Sequence, residues 1–135
     1  MIDFSYLPIP SQEEWGDIFY DFDVQDVHKS FFGKNHGQAI ALFKKDVLSR
    51  SQDVRFMPEK VFPYYMMSFG GFVQGGEYGE NSSCDVANCY IDVIESKLNQ
   101  VKRVSPLVEN VSLVLRFIRD DIGKFIDGFG VRGSK

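Results

Sequence analysis

Apolar residues recur at helical intervals in five stretches of this chain, and polar or glycine-rich segments separate them. The clearest stripe is the last: Leu107, Val111, Leu115, Ile118, Ile122 and Phe125 follow one another at intervals of four, four, three, four and three. That spacing keeps all six on one face of a helix. Ser105-Pro106 supplies the start, a capping hydroxyl with proline at the first helical position. Upstream, Val86, Tyr90, Ile94, Leu98 and Val101 form a similar stripe behind Ser83, a candidate cap. Val61–Val73 is almost uniformly apolar and predicts a buried helix, with a late start or a kink at Pro63. Ile40, Phe43, Val47 and Leu48 predict an amphipathic helix from His36 to Arg50, capped by Asn35. A shorter helix, Val24–Phe32, carries Val24, Val27, Phe31 and Phe32, with Asp23 as its cap and Gly33 as its stop.

Between these stripes the pattern changes. Residues 1–10, with Pro8 and Pro10, read as an extended arm. Gly16–Asp23 alternates aromatic and acidic residues, which predicts a short strand or an extended segment laid on the core. Gly75–Ser83 is the clearest loop, and residues 129–135 read as a flexible tail. No internal repeat or linker divides the chain. The expected architecture over 1–135 is mostly α, a single compact domain of five or six helices with that one extended or strand segment near the N-terminus.

Composition changes the picture little: 135 residues, 44% hydrophobic, 15% aromatic and 25% charged describe an ordinary globular domain. The longest uncharged apolar stretch, residues 61–76, contains two Tyr, one Pro and four Gly, too short and polar for a membrane span. With no basic flank and apolar run at the N-terminus, a cytoplasmic protein is expected.

The distribution of charge says more than its net value of −4. Residues 1–26 hold seven acids (Asp3, Glu13, Glu14, Asp17, Asp21, Asp23 and Asp26) and no Lys or Arg. Residues 27–60 and 102–135 are each net basic, and residues 61–101 are net acidic. An acidic N-terminal fifth repels nucleic acid phosphates and steers a basic protein partner.

Reactive chemistry is sparse. His28 and His36 are the two histidines, and no second ligand stands at metal-binding spacing from either. Cys84 and Cys89, five residues apart on a helix, point roughly 140° from each other, which suits packed thiols and neither a disulfide nor a shared metal. The glycine run 70–76 lacks the Gly-Lys-Ser/Thr ending of a phosphate loop. A binding protein is therefore favoured over an enzyme, with no metal and no cofactor expected.

Several stretches carry a resemblance: Pro8-Ile-Pro-Ser-Gln-Glu-Glu-Trp15-Gly16, Phe31-Phe32-Gly33-Lys34 followed by Leu42-Phe43, Phe56-Met57-Pro58 with Phe62-Pro63-Tyr64-Tyr65, and Glu80-Asn-Ser-Ser-Cys-Asp-Val-Ala-Asn-Cys89. In order and spacing, over residues 8–98, the chain resembles small bacterial immunity proteins of contact-dependent growth inhibition systems. The resemblance implies a cytoplasmic antidote that binds the C-terminal domain of a cognate toxin, typically a basic nuclease, and covers its active site or substrate surface.

Charge segregation then nominates the toxin-binding residues. These are Glu13, Glu14, Trp15, Asp17, Tyr20, Asp21 and Asp23, with Glu77, Tyr78 and Glu80 of the glycine-rich loop as a second patch. Carboxylates would stand in for phosphates, and aromatic rings would anchor the contact. The alternative is a regulatory adaptor or antitoxin-like subunit acting on another basic partner. An enzyme or small-ligand domain built around Tyr64, Tyr65 and His28 ranks third. Direct nucleic-acid binding through Lys44, Lys45, Arg50, Arg116 and Arg119 ranks last.

Overall fold

In a computed structural model, residues 8–19, 21–97 and 105–126 are described. Among them the chain forms eight helices and no strand: α1 (Gln12–Trp15), α2 (Phe22–Phe31), α3 (His36–Lys45), α4 (Val47–Arg55), α5 (Phe62–Gly75), α6 (Ser83–Lys97), α7 (Ser105–Asp120) and α8 (Ile122–Ile126). The helical class matches the hydropathy pattern. The count exceeds five or six for three local reasons.

First, Ser11 and Glu14 form a reciprocal capping box, so Gln12–Trp15 closes a helical turn where no helix was expected. Second, the helix expected over His36–Arg50 breaks at Asp46, whose extended backbone ends α3 while its side chain caps α4 through the Ser49 N–H. Third, the last stripe is interrupted at Asp121, and α8 turns Phe125 back onto Phe117 and Tyr78.

No strand forms among the described residues of Gly16–Asp23: Asp17 closes a turn at Phe19, and α2 begins at Phe22. Asp21, not Asp23, is the cap: its carboxylate accepts the Val24 N–H at 3.1 Å. Ser82, not Ser83, likewise precedes α6 and accepts the Asp85 N–H at 3.0 Å. Pro63 falls in the first turn of α5, the late start rather than a kink. Residues 1–7 of the arm, Leu98 and Val101 of the α6 stripe, and the tail at 129–135 lie outside the described residues.

Helix α5 is the axis of the core. Ten of its residues are buried, and α3, α4, α6 and α7 pack around it. Rings pack along its length: Phe43 stacks on Phe69 at 4.5 Å, Phe31 meets Tyr65 edge-on at 5.0 Å, and Tyr90 meets Phe69 edge-on at 5.2 Å. Against α7 the approach is closer still. A β-carbon at Gly70 would sit 2.6 Å from Asn110 Oδ1 and 2.9 Å from Val114 Cγ2, so only glycine admits this contact. On α7 the buried face is Leu107, Val111, Val114 and Ile118, while Leu115 and Ile122, expected in the core, are exposed. A buried face centred about 30° around the helix from the expected one takes in Val114 and leaves Leu115 outside.

Candidate functional site

The N-terminal acids sit on a surface whose backbone is held from within. Asp17 Oδ1 accepts the Phe19 N–H at 3.0 Å, closing the turn after α1. The Gln25 amide, one turn into α2, donates to the carbonyls of Ile18 and Phe19. Ile18 is drawn toward the core, and Phe19 is left 69% exposed. Phe22, the first residue of α2, is 79% exposed. It lies about 140° around the helix from Val27 and 180° from Phe31, the two residues that bury the opposite face. Exposed Glu13, Asp17, Asp21, Asp23 and Asp26 accompany these two rings. Two large exposed aromatics among carboxylates, with no Lys or Arg from residue 8 to residue 28, form the candidate interaction face.

The nominated residues divide between this face and the interior. Glu13 and Asp23 are exposed, whereas Glu14 is half-buried and bends back along the surface to accept the Ser11 N–H at 2.9 Å. Trp15 is 2% exposed and belongs to the core, with its ring 5.0 Å from His28 and 6.5 Å from Tyr65. It anchors α1 to the bundle and presents no ring to a partner. Tyr20 lies outside the described residues. Phe19 and Phe22 were missed because the alternating pattern placed them in a segment laid on the core. A helix begun at Asp21 would have put Phe22 on the wet face.

The second patch is built differently. Tyr78 is buried, its hydroxyl donates to the Val73 carbonyl at 2.6 Å, and burial pushes its pKa up to about 12. Lys124 lies 5.1 Å from the centre of that ring. Asn81 then fastens the loop to the break between α3 and α4. Its Nδ2 donates to the carbonyls of Lys44 at 2.8 Å and Tyr78 at 2.6 Å, and its Oδ1 accepts the Val47 N–H at 3.1 Å. Gly79, at φ 64°, passes so near the Lys44 carbonyl that a β-carbon would meet it at 2.8 Å. Glu77 and Glu80 remain exposed, with Glu77 3.9 Å from Lys44.

The two patches are anchored at different heights of α5. Trp15 packs at Tyr65 near the start of α5, and Tyr78 packs at Phe72 near its end. The intervening turns separate them by about 10 Å along the helix axis.

The two histidines occupy structured positions. Gln12 donates through Nε2 to the Gly16 carbonyl, which leaves its Oε1 facing His28 Nε2 at 2.8 Å. His28 also stacks on Phe32 at 4.5 Å, and desolvation lowers its pKa. His36 Nδ1 lies 2.6 Å from Ser68 Oγ, a spacing suggestive of a nucleophile and its base. Ser68 is fully buried, however, and its hydroxyl donates to the Tyr64 carbonyl at 3.3 Å. Tyr65, proposed as a pocket residue, directs its hydroxyl at the Phe31 and Lys34 carbonyls, 2.8 Å from each, and so ties off the end of α2. Cys84 and Cys89 are buried thiols outside any disulfide, and Asn88 Nδ2 donates to Cys84 Sγ at 3.4 Å. Cys89 lines a groove of about 330 Å³ between α4 and α6 with Ser51, Arg55 and Asp92, and burial raises its pKa.

Among the described residues no group of three or more His, Cys, Asp or Glu is placed to hold a metal ion, and no helix is long and apolar enough to cross a membrane. Comparisons with family models, with curated proteins and with solved structures find no match to this chain.

Proposed function

We propose that this chain is an immunity protein: it binds a basic toxin domain, a nuclease by the implied family, and neutralises it by covering the active site or substrate surface. The observation that carries the reading is the α1–α2 face, where Phe19 and Phe22 stand 69% and 79% exposed among carboxylates, with no Lys or Arg from residue 8 to residue 28. An exposed phenylalanine costs solubility, and Phe22, at 79% exposure, adds little to the monomer's core, so its place is a partner's pocket. The carboxylates supply steering toward a phosphate-binding cleft and repel nucleic acid itself. The backbone bonds from Asp17, Asp21 and Gln25 fix the face before binding, which lowers the ordering cost of association. The stretches that resemble the immunity family agree with this reading but nominate no contact residue.

The test is calorimetric titration with the toxin domain encoded immediately upstream of this gene. Nanomolar affinity that weakens with salt supports the reading, and absence of binding removes it. The adaptor alternative uses the same face for a different basic partner and takes precedence in that case.

A further inference from the structure

Helix α7 carries an outward face that is complementary to itself. Its residues divide around Ser112, which is exposed. On one side lie Val108 and Leu115, 40% and 39% exposed, at about −40° and −60° around the helix from Ser112. On the other lie Arg116 and Glu109, at about +40° and +60°. Both are exposed, and neither forms an ion pair with another described residue. Val108, Glu109, Ser112, Leu113 and Arg116 line a shallow groove of about 410 Å³ on this surface.

A twofold axis perpendicular to two antiparallel α7 helices reverses their direction but keeps each side on its own side. The apolar side of one helix therefore meets the apolar side of the other, and the charged side meets the charged side. The registers agree as well. Val108 and Leu115 are seven residues apart with a midpoint beside Ser112, and Glu109 and Arg116 have the same separation with a midpoint on the other side of it. Centred on Ser112, the crossing brings Val108 within about 1.5 Å of axial register with Leu115 of a second copy, and Glu109 equally close in register to its Arg116. Both pairings occur twice by symmetry. The small side chain at the centre lets the two backbones approach.

We propose that α7 is a homodimerisation face in which two copies of this chain cross antiparallel at Ser112, with two apolar Val108–Leu115 contacts and two Glu109–Arg116 ion pairs. This inference is independent of the toxin-binding reading. A single-helix contact belongs to the small, weak class of interfaces, so association on the order of tens of micromolar is expected.

Sedimentation equilibrium of the full chain from low micromolar to high micromolar concentration tests it, beginning from a monomer mass of 15.4 kDa. The wild type should move toward twice that mass. Glu109→Arg and Arg116→Glu should each weaken association about tenfold, because each places like charges in both symmetric pairs. The double exchange Glu109→Arg/Arg116→Glu should recover to within about threefold of wild type. Leu115→Asp should abolish it, and Phe22→Asp, on the acidic face, should leave it unchanged. A monomer at every concentration overturns the proposal. So does a double exchange no better than the singles, or association lost on Phe22→Asp, which would put the contact on α2. All four substituted positions are exposed, and circular dichroism checks that each variant is folded.

Discussion

The two acidic patches of this molecule look alike as sequence and differ as structure. Each combines carboxylates, an aromatic and a glycine in a short non-periodic stretch. At 76–82 the aromatic is pulled inside, Asn81 spends its amide on three backbone groups, and a lysine lies near the acid. At 16–26 the side chains of Asp17, Asp21 and Gln25 bond the backbone of Phe19, Val24 and Ile18, and the rings of Phe19 and Phe22 stay outside. The first patch uses its polar atoms to hold the fold, and the second uses them to hold a surface. Charge alone does not separate the two; the destination of the rings does.

The sharpest way to break this comparison is at Phe22. On the proposed reading, Phe22→Ala should weaken toxin-domain binding about 100-fold while leaving the urea midpoint of unfolding unchanged, because a ring 79% exposed adds little to the core. Glu77→Lys/Glu80→Lys should change that affinity less than about twofold. Equal losses from both substitutions would return the two patches to equivalence. Asn81→Ala inverts the pattern: stability should fall by about 2 kcal/mol, read from urea denaturation, since several backbone groups lose their partner at once. Asp21→Ala should cost about 1 kcal/mol as the loss of a helix cap, so the interface is better probed by reversing Asp17 and Asp23. Their joint reversal should slow association and flatten its salt dependence, which stopped-flow measurements resolve.

The smallest effect belongs to His28. Its pKa is lowered in the folded state by desolvation, so the unfolded chain binds the proton more readily. Stability should therefore be complete above the unfolded value of about 6.5 and decline as pH falls below it. His28→Phe, which keeps the stack on Phe32, should shrink that decline in urea titrations compared at pH 7.5 and 5.5.

The helical class was readable because α6 and α7 each bury one stripe at helical spacing, a property of the helix itself, while α5 is apolar and buried almost all round. The breaks were not. Asp46 interrupts α3 and α4 where Asn81, more than thirty residues away in sequence, bonds both helix ends, and no local pattern anticipates such a partner. The boundaries of α2 and α6 slipped because Asp21 competes with Asp23, and Ser82 with Ser83, as equally good caps two or one residues apart. Leu115 and Val114 were exchanged for a related reason: adjacent apolar residues fit neighbouring stripes, and only the close approach of Gly70 to Val114 selects between them. At the candidate site the charges were legible and the anchors were not. Trp15 and Tyr78 are the residues an interface would be expected to favour, yet both are committed to the interior.

Residues 76–82 have the composition that normally invites a fluorophore, an affinity tag or a circular permutation. Here that choice would be a poor one. Tyr78, Gly79 and Asn81 join the end of α5 to the α3–α4 joint, so inserted residues would separate three helices at once instead of decorating an edge. By the same logic, a protease that reaches this loop would cut a structural joint, and the rate of cleavage there would report how often the α3–α4 joint opens.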